Sequence, residues 1–224
     1  MNPDFWLQRW QDRQIGFHQD TPTPLMQTYW PALQAPVGCR VFVPLAGKTL
    51  DMLWLAAQGH DVLGVELAPL AVEEFFAEHA LRPEIFDSRY GRHYRVEMHG
   101  RALELICGDA FALDTEILAD CAAVLDRAAL IALPAGMRQA YASALYASLP
   151  YDCRTLLITL EYPQHEKSGP PFSVDEAEVR ALYGLDWDIN LLERSDILAD
   201  QPGFIAEGVT ALDTCVYRLS RRDA

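Results

Sequence analysis

One acidic side chain interrupts an otherwise apolar segment. Glu66 follows the run Val62-Leu63-Gly64-Val65 and lies 19 residues after Gly47, which sits in an earlier turn. An acidic residue at about this distance from a strand-to-helix turn commonly accepts hydrogen bonds from the ribose of an adenosine ligand. The spacing therefore predicts a ribose-binding carboxylate, and a solvent-facing glutamate at a strand end is the alternative.

The turn before Glu66, Pro44-Leu45-Ala46-Gly47-Lys48-Thr49, resembles a phosphate loop only superficially. A Walker A loop needs glycine five positions before its G-K-T glycine, where this chain has Phe42. The dinucleotide fingerprint G-x-G-x-x-G also fails, because Gly47 is the only glycine of the turn. A pyrophosphate needs close backbone approach at several points. The turn therefore predicts a ligand without phosphates, and with Glu66 it favours S-adenosylmethionine over NAD.

Two more groups of polar residues follow predicted strands. Gly108-Asp109 lies where adenine contacts often occur in such sheets, although a plain turn explains the pair equally well. Asp126-Arg127 follows the apolar run of residues 122–125. Two charges at the end of a buried strand either face a ligand or pair with each other.

Aromatic residues are concentrated ahead of the first predicted strand. Trp6 and Trp10 are four residues apart, on one face of a short helix. We interpret residues 1–35 as an arm that covers the cofactor, with Trp10 beside the charged sulfonium, where a cation–π contact is favourable. A helix that merely covers the sheet is the alternative. Phe172, which follows Gly169-Pro170-Pro171, either walls the acceptor pocket or ends a rigid connector.

These residues need a sheet to bring them together, and the chain alternates predicted strands with helices. Helices are predicted at 49–58, from Pro69, at 137–148, and from a capping box at Ser173 to Gly184. Residues 87–101 are predicted to form a polar connection. The predicted strands are 39–45, 61–67, 102–107, 122–126, 154–162, 186–193 and 208–219.

This order predicts an α/β, Rossmann-like fold with a mostly parallel seven-stranded sheet and helices on both faces. The last two strands form an antiparallel pair with no helix between them. We expect one domain, 1–224, made of the arm and a core of residues 36–224. Ligands of such sheets bind at the carboxyl ends of the strands.

Composition excludes several classes of partner. The formal net charge of −14 repels phosphate backbones and anionic lipid, so we expect neither nucleic acid nor membrane as a partner. The polar opening Met1-Asn2-Pro3-Asp4 is unlike a signal peptide, which predicts a cytoplasmic protein, and we expect a monomer. The five cysteines are scattered and the histidines lack ligand spacing, so we predict neither disulfides nor a metal ion.

The chain resembles the bacterial type of the thiopurine S-methyltransferase family, in blocks that follow the family's order. Within the methyltransferase superfamily, the P-L-x-G-K loop and the late G-P-P-F are fairly specific to this family. The matching blocks are W-x-x-R-W-Q (6–11), G-F-H-Q (16–19), V-F-V-P-L-A-G-K (41–48), D-M-L-W-L-A-x-x-G-H-x-V-x-G-V-E (51–66), E-E-F-F (73–76), L-D-R-A-A-L (125–130) and G-P-P-F (169–172).

The resemblance implies a class I methyltransferase fold that binds S-adenosylmethionine. It also implies that Phe17 lies beside the acceptor, where Arg127 can stabilise an anionic acceptor in addition to contacting the cofactor. Ala46 replaces the cysteine often found in that loop, which leaves acceptor preference open. The implied cofactor-binding residues are Trp10, Leu45, Glu66, Asp109, Ala110 and Arg127.

These observations predict methyl transfer to the sulfur of a small aromatic or heterocyclic thiol, with selenium or tellurium species as further acceptors. Such a thiol is already partly ionised near neutral pH, which suits a sequence without an obvious acid–base dyad. Two other functions remain open. One is a nicotinamide-dependent oxidoreductase on a related sheet, which the missing glycines disfavour, and the other is a non-catalytic protein that binds an adenosyl ligand.

Overall fold

The computed structural model describes residues 3–222. Met1-Asn2, the start of the polar opening, and residues 223–224, the end of the predicted domain, lie outside the described residues. The strands are β1 (Arg40–Val43), β2 (Asp61–Glu66), β3 (Glu84–Ser88), β4 (Gly91–Met98), β5 (Arg101–Cys107), β6 (Cys121–Arg127), β7 (Arg154–Glu161), β8 (Trp187–Asp196) and β9 (Asp213–Arg221). The helices are α1 (Pro3–Gln11), α2 (Pro24–Leu33), α3 (Asp51–Ala57), α4 (Pro69–Glu78), α5 (Thr115–Leu118), α6 (Ala135–Ala140), α7 (Glu176–Tyr183) and α8 (Pro202–Ala206).

All strands belong to one mixed sheet with the order β3-β4-β5-β2-β1-β6-β7-β9-β8. The five central strands, from β5 to β7, are parallel. β1 pairs with β2 on one side and with β6 on the other. The order in which successive strands are added to the sheet therefore reverses at β1. The crevice at such a switch point is where open α/β sheets bind ligands.

Alternating side chains give the sheet two apolar faces. Phe42, Leu63 and Val124 enter one cluster, whereas Val41 and Val62 enter the other. Because successive residues of a strand point to opposite faces, near-continuous apolar strands can be buried on both sides. The predicted α/β architecture is therefore present, with helices over both faces.

Within residues 3–222 the sheet has nine strands instead of the predicted seven. Most of the region predicted as a polar connection, 87–101, lies in a hairpin formed by β3 and β4, and β4 pairs with β5 in the antiparallel sense. Every residue of β3 is exposed. A strand that is exposed on both faces has no reason to alternate apolar and polar residues, so the usual strand pattern is missing there.

Three local predictions were also wrong in detail. The N-cap of α7 is Asp175, whose Oδ1 accepts from Glu178 N at 2.7 Å, while Ser173 Oγ accepts from Tyr162 N. The helical segment after Pro134 continues past α6 as a π turn (Tyr141–Leu145) and a 3₁₀ turn (Tyr146–Ser148) instead of one long α-helix. β8 and β9 form the predicted antiparallel pair, but a short helix, α8, lies between them in the sequence, where no helix was predicted.

The N-terminal arm packs on two separate parts of the core. Trp10 of α1 contacts Ala68 and Ala71 at the start of α4. Trp30 of α2 is buried against one face of the sheet, and its indole N–H donates to His60 Nε2 at 3.2 Å. Across residues 3–222 no helix combines the length and apolarity needed to traverse a bilayer.

Candidate functional site

A cavity of about 790 Å³ opens at the carboxyl ends of the central strands. Its walls come from the loops that follow β1, β2, β5 and β6, and the N-terminal arm covers one side. The predicted residues that line it are Trp10, Phe17, Leu45, Glu66, Asp109, Ala110 and Arg127. The topology thus brings together seven side chains that are spread over more than 100 residues of sequence.

Glu66 ends β2 inside this cavity and is 7% exposed. Its Oε2 accepts from Gly47 N at 2.8 Å, and its Oε1 accepts from Ala68 N at 2.7 Å. Burial raises the pKa of Glu66, against the lowering effect of these amide hydrogen bonds. Since each carboxylate oxygen has two lone pairs, both oxygens can accept one more hydrogen bond from a ligand.

The turn after β1 has a backbone that few residue types tolerate. Gly47 has φ of +54°, and a Cβ built there would lie 3.2 Å from Cζ2 of Trp10. Leu45 also has a positive φ, +46°, which is unusual for a branched side chain. The turn therefore approaches the arm closely, and Trp10, only 2% exposed, fixes its position.

The loop after β5 is held by the neighbouring hairpin. A Cβ at Gly108 would lie 2.1 Å from the carbonyl oxygen of Tyr90, so only glycine fits there. Asp109 then accepts from Phe111 N at 2.9 Å and caps a 3₁₀ turn that starts at Ala110. Asp109 is exposed and Ala110 is buried at the cavity wall, so the loop offers a carboxylate beside an apolar surface.

Asp126 and Arg127 do not pair with each other, because neighbouring residues of β6 point to opposite faces. Asp126 is fully buried and accepts from the hydroxyls of Tyr141 and Tyr146 at 2.7 and 2.6 Å and from Leu130 N. Arg127 points into the cavity, and within residues 3–222 its guanidinium has no hydrogen bond or ion pair. Burial lowers the pKa of Arg127, and the carboxylate of Asp51 opposes this.

Asp126→Asn is expected to destabilise the protein by about 1–3 kcal/mol, since the amide leaves one buried donor without an acceptor. Burial raises the pKa of Asp126, so the native state binds its proton more tightly than the unfolded chain. The difference in unfolding free energy between the wild type and Asp126→Asn should therefore be largest at pH values below the ordinary carboxyl pKa. It should shrink as pH rises through the raised pKa of Asp126 in the native state. Urea unfolding across this pH range measures it, with exposed Asp120→Asn as the control. A difference in unfolding free energy that grows with pH would contradict this prediction.

The arm contributes more than aromatic cover. Phe17 packs edge-on against Trp10 and Trp6, with ring centroids 5.7 and 5.6 Å apart. Next to it, His18 also lines the cavity, and burial, with a contribution from Lys48, lowers its pKa. A lowered pKa favours the neutral imidazole at this position.

Phe172 does not line the cavity. Its N–H donates to the carbonyl of Ile131 at 2.7 Å, and the guanidinium of Arg138 lies 5.7 Å from its ring centre. The preceding Pro170 and Pro171 line the cavity instead. The interpretation that the side chain of Phe172 lines the pocket is therefore corrected.

Comparisons with known proteins decide the family. The family model described as "Thiopurine S-methyltransferase (TPMT)" matches residues 1–222. A Xanthomonas campestris protein named "Thiopurine S-methyltransferase" is 61% identical over 221 residues, which is 99% of this chain and all of that protein. A protein of the same name from Nitrosomonas eutropha is 56% identical, over 99% of both chains. The chain belongs to the thiopurine S-methyltransferase family.

Solved structures confirm the predicted class I methyltransferase fold. A 1,6-didemethyltoxoflavin-N1-methyltransferase of Burkholderia thailandensis, with bound S-adenosylhomocysteine, aligns with a TM-score of 0.62 at 16% identity, covering 99% of this chain and 87% of that one. A TehB-like methyltransferase of Corynebacterium glutamicum aligns with a TM-score of 0.56 at 14% identity, covering 98% of each chain. Membership of the thiopurine S-methyltransferase family makes this chain an S-adenosylmethionine-dependent methyltransferase with a small-molecule substrate.

Two parts of this thiopurine S-methyltransferase-family cavity were missed from sequence. One is Asp51 at the start of α3, whose carboxylate accepts from N and Oγ1 of Thr23 and so ties the arm to the core. The other is the wall formed by 197–214, with Gln201 and Phe204. The sequence offered a signal for Asp51, because this residue lies two positions after Thr49, the last residue of the turn that follows β1. No sequence motif marks the 197–214 wall.

Proposed function

We propose that this chain transfers the methyl group of S-adenosylmethionine to the sulfur of a small aromatic or heterocyclic thiol. The observation that carries this proposal is the guanidinium of Arg127, which faces the cavity without a partner in residues 3–222. A cation in this position suits an anionic acceptor such as a thiolate. The names of the relatives in Xanthomonas campestris and Nitrosomonas eutropha support a thiol acceptor.

One end of the cavity suits the adenosine part of the cofactor. Glu66 has spare lone pairs for both ribose hydroxyls, while Asp109 and Ala110 combine an acceptor with an apolar edge for adenine. Leu45 lines the space between them. Trp10 covers the turn, where its ring can face a sulfonium. No phosphate-binding glycines are required, which agrees with a cofactor that has no phosphate.

The residues act by positioning rather than by proton transfer. Bound S-adenosylmethionine supplies a methyl group on a positively charged sulfur, which is open to in-line displacement. The arm and the 197–214 wall exclude water from the acceptor and hold it against the cofactor end of the cavity. Such alignment can be worth about 7–11 kcal/mol. Arg127 stabilises the thiolate, so the chain needs no dedicated base for an acceptor that is already ionised.

A methylation screen over aromatic thiols, selenols, tellurium and selenium oxyanions, phenols and amines tests the acceptor class. We expect cofactor-dependent S-methyl products from aromatic thiols, identified by mass spectrometry. Methylation of amines alone would overturn the thiol assignment. Binding of S-adenosylhomocysteine compared with NADH distinguishes this function from that of an oxidoreductase, because only the former ligand suits a turn without the dinucleotide glycines.

Phe17→Ala is expected to raise the acceptor KM several-fold and to leave S-adenosylhomocysteine affinity nearly unchanged. The reason is that Phe17 lines the cavity, whereas Trp10 lies between it and the turn at Gly47. Steady-state kinetics and calorimetry measure the two effects. Phe5→Ala is the matched control, because Phe5 packs on Trp6 in the same arm but does not line the cavity. Equal losses of acceptor and cofactor binding would show that the arm acts only as a cofactor lid.

A further inference from the structure

A hydrogen-bonded serine, histidine and glutamate lie on the β3–β4–β5 side of the sheet, outside the cavity. Ser88 Oγ is 2.6 Å from His93 Nε2, and His93 Nδ1 is 2.6 Å from Glu104 Oε1. Arg40 donates to the other carboxylate oxygen of Glu104 at 3.1 Å. None of these four residues lines the methyltransferase cavity.

The hydrogen-bond partners fix the direction of each proton. The carboxylate of Glu104 can only accept, so Nδ1 of His93 carries hydrogen and donates to it. In the neutral imidazole, Nε2 is then the acceptor, and the hydroxyl of Ser88 donates to it. This is the order of groups found in serine hydrolases, where the acid orients the base and the base activates the nucleophile.

The hairpin register explains how the three side chains meet. In the β3–β4 pair Ser88 faces Gly91, and Phe86 faces His93. Since Gly91 has no side chain, the imidazole of His93 can reach diagonally to Ser88. The base and the acid are buried, at 2% and 7% exposure, whereas the serine is exposed. A buried base beside an accessible hydroxyl is what a nucleophilic serine requires.

We propose that Ser88 is a nucleophile that hydrolyses aryl esters of short carboxylic acids. Ser88 Oγ attacks the acyl carbon and its proton passes to His93 Nε2. The ester C–O bond then breaks, and the phenol leaves with that proton. A water molecule attacks the acyl-serine in turn, giving its proton to Nε2, and the carboxylic acid departs as Ser88 regains its hydrogen.

The surroundings of Ser88 set this substrate class. The ring of Phe86 stacks on the imidazole of His93 at 4.6 Å and is 40% exposed, which leaves its outer side free for an aryl group. The N–H of Tyr90 donates to Ser88 Oγ at 3.0 Å and stabilises its developing charge. β3 is the edge strand of the sheet, so within the described residues its open side has no neighbouring strand and a substrate can approach Ser88 from there. The exposed position favours a short acyl chain.

Labelling of the full-length protein with a fluorophosphonate, and hydrolysis of 4-nitrophenyl acetate, test this proposal. We expect one phosphonyl adduct, located at Ser88 by peptide mass spectrometry, and its loss in Ser88→Ala. His93→Gln should slow labelling about 100-fold, as removal of a general base does. Ser148→Ala is the control, because Ser148 is partly exposed and its hydroxyl donates to the carbonyl of Ala144, with no histidine beside it in residues 3–222.

Unchanged S-adenosylhomocysteine binding by Ser88→Ala and His93→Gln establishes that both variants are folded. An adduct at other residues only, or equal labelling rates in wild type and a folded His93→Gln, would overturn the proposal. A Ser88→Ala variant that hydrolyses the ester as fast as the wild type would do the same.

Discussion

Replacing Glu66 with alanine is expected to weaken S-adenosylhomocysteine binding at least tenfold. The carboxylate is 7% exposed, so hydrogen bonds to it form in a place from which water is largely excluded. Two ribose hydroxyls donating to a charged acceptor are each worth about 1.5–3 kcal/mol. The substitution also removes the acceptor of Gly47 N and Ala68 N, which loosens the turn on which the cofactor rests.

Titration calorimetry of folded variants measures this loss, and two further variants separate its causes. Glu66→Gln keeps one oxygen acceptor but directs an NH₂ group at a backbone N–H, so its affinity should fall between those of the wild type and Glu66→Ala. Glu73→Ala, on the exposed side of α4, should bind as tightly as the wild type. Unchanged affinity in a folded Glu66→Ala would remove Glu66 from the site.

The Glu66 and Gly47 pair could be predicted because its signal is local. A buried carboxylate at the end of an apolar run and a glycine in the preceding turn are both visible in a short stretch of sequence. The structure adds the reason for their spacing, since Glu66 accepts from Gly47 N directly. The parallel core was predictable for the same reason, because each buried strand is a compact apolar run.

The opposite orientations of Asp126 and Arg127 follow from the period of a strand alone. Leu125 and Arg127 both line the cavity, so Asp126 between them must point to the other face, where Tyr141 and Tyr146 donate to it. The identity of those donors could not be predicted, because they lie on a different element. Strand parity therefore explains why the ion pair between Asp126 and Arg127, one of the two interpretations left open by the sequence, does not form.

Other parts of the molecule depend on long-range packing that leaves no pattern in the sequence. β3 is exposed on both faces, so its residues do not alternate between apolar and polar. The 197–214 wall reaches the cavity only because β9 inserts between β7 and β8. Phe172 was misplaced by one or two residues for a similar reason: Pro170 and Pro171 line the cavity, whereas the ring of Phe172 lies beside Arg138, a residue of another element.

Arg127→Met is expected to lower kcat/KM for anionic thiol acceptors by about 10- to 100-fold. Methionine keeps much of the apolar length of arginine but loses the charge and all five donors. The guanidinium is largely buried and has no ion pair within the described part of the chain, so its interaction with a thiolate is little screened. A charge-assisted hydrogen bond worth about 1.5–3 kcal/mol accounts for the expected range.

The ionisation state of the acceptor distinguishes this role from a contact with the cofactor alone. Across a series of aromatic thiols, the ratio of wild-type to Arg127→Met kcat/KM should increase as the thiol pKa falls below the assay pH. Arg13→Met is the matched control, because Arg13 is 63% exposed, pairs with Glu74 and lies outside the cavity. If the ratio is instead the same for neutral and anionic acceptors, and follows a loss of S-adenosylhomocysteine affinity, Arg127 serves the cofactor and the acceptor charge is stabilised elsewhere.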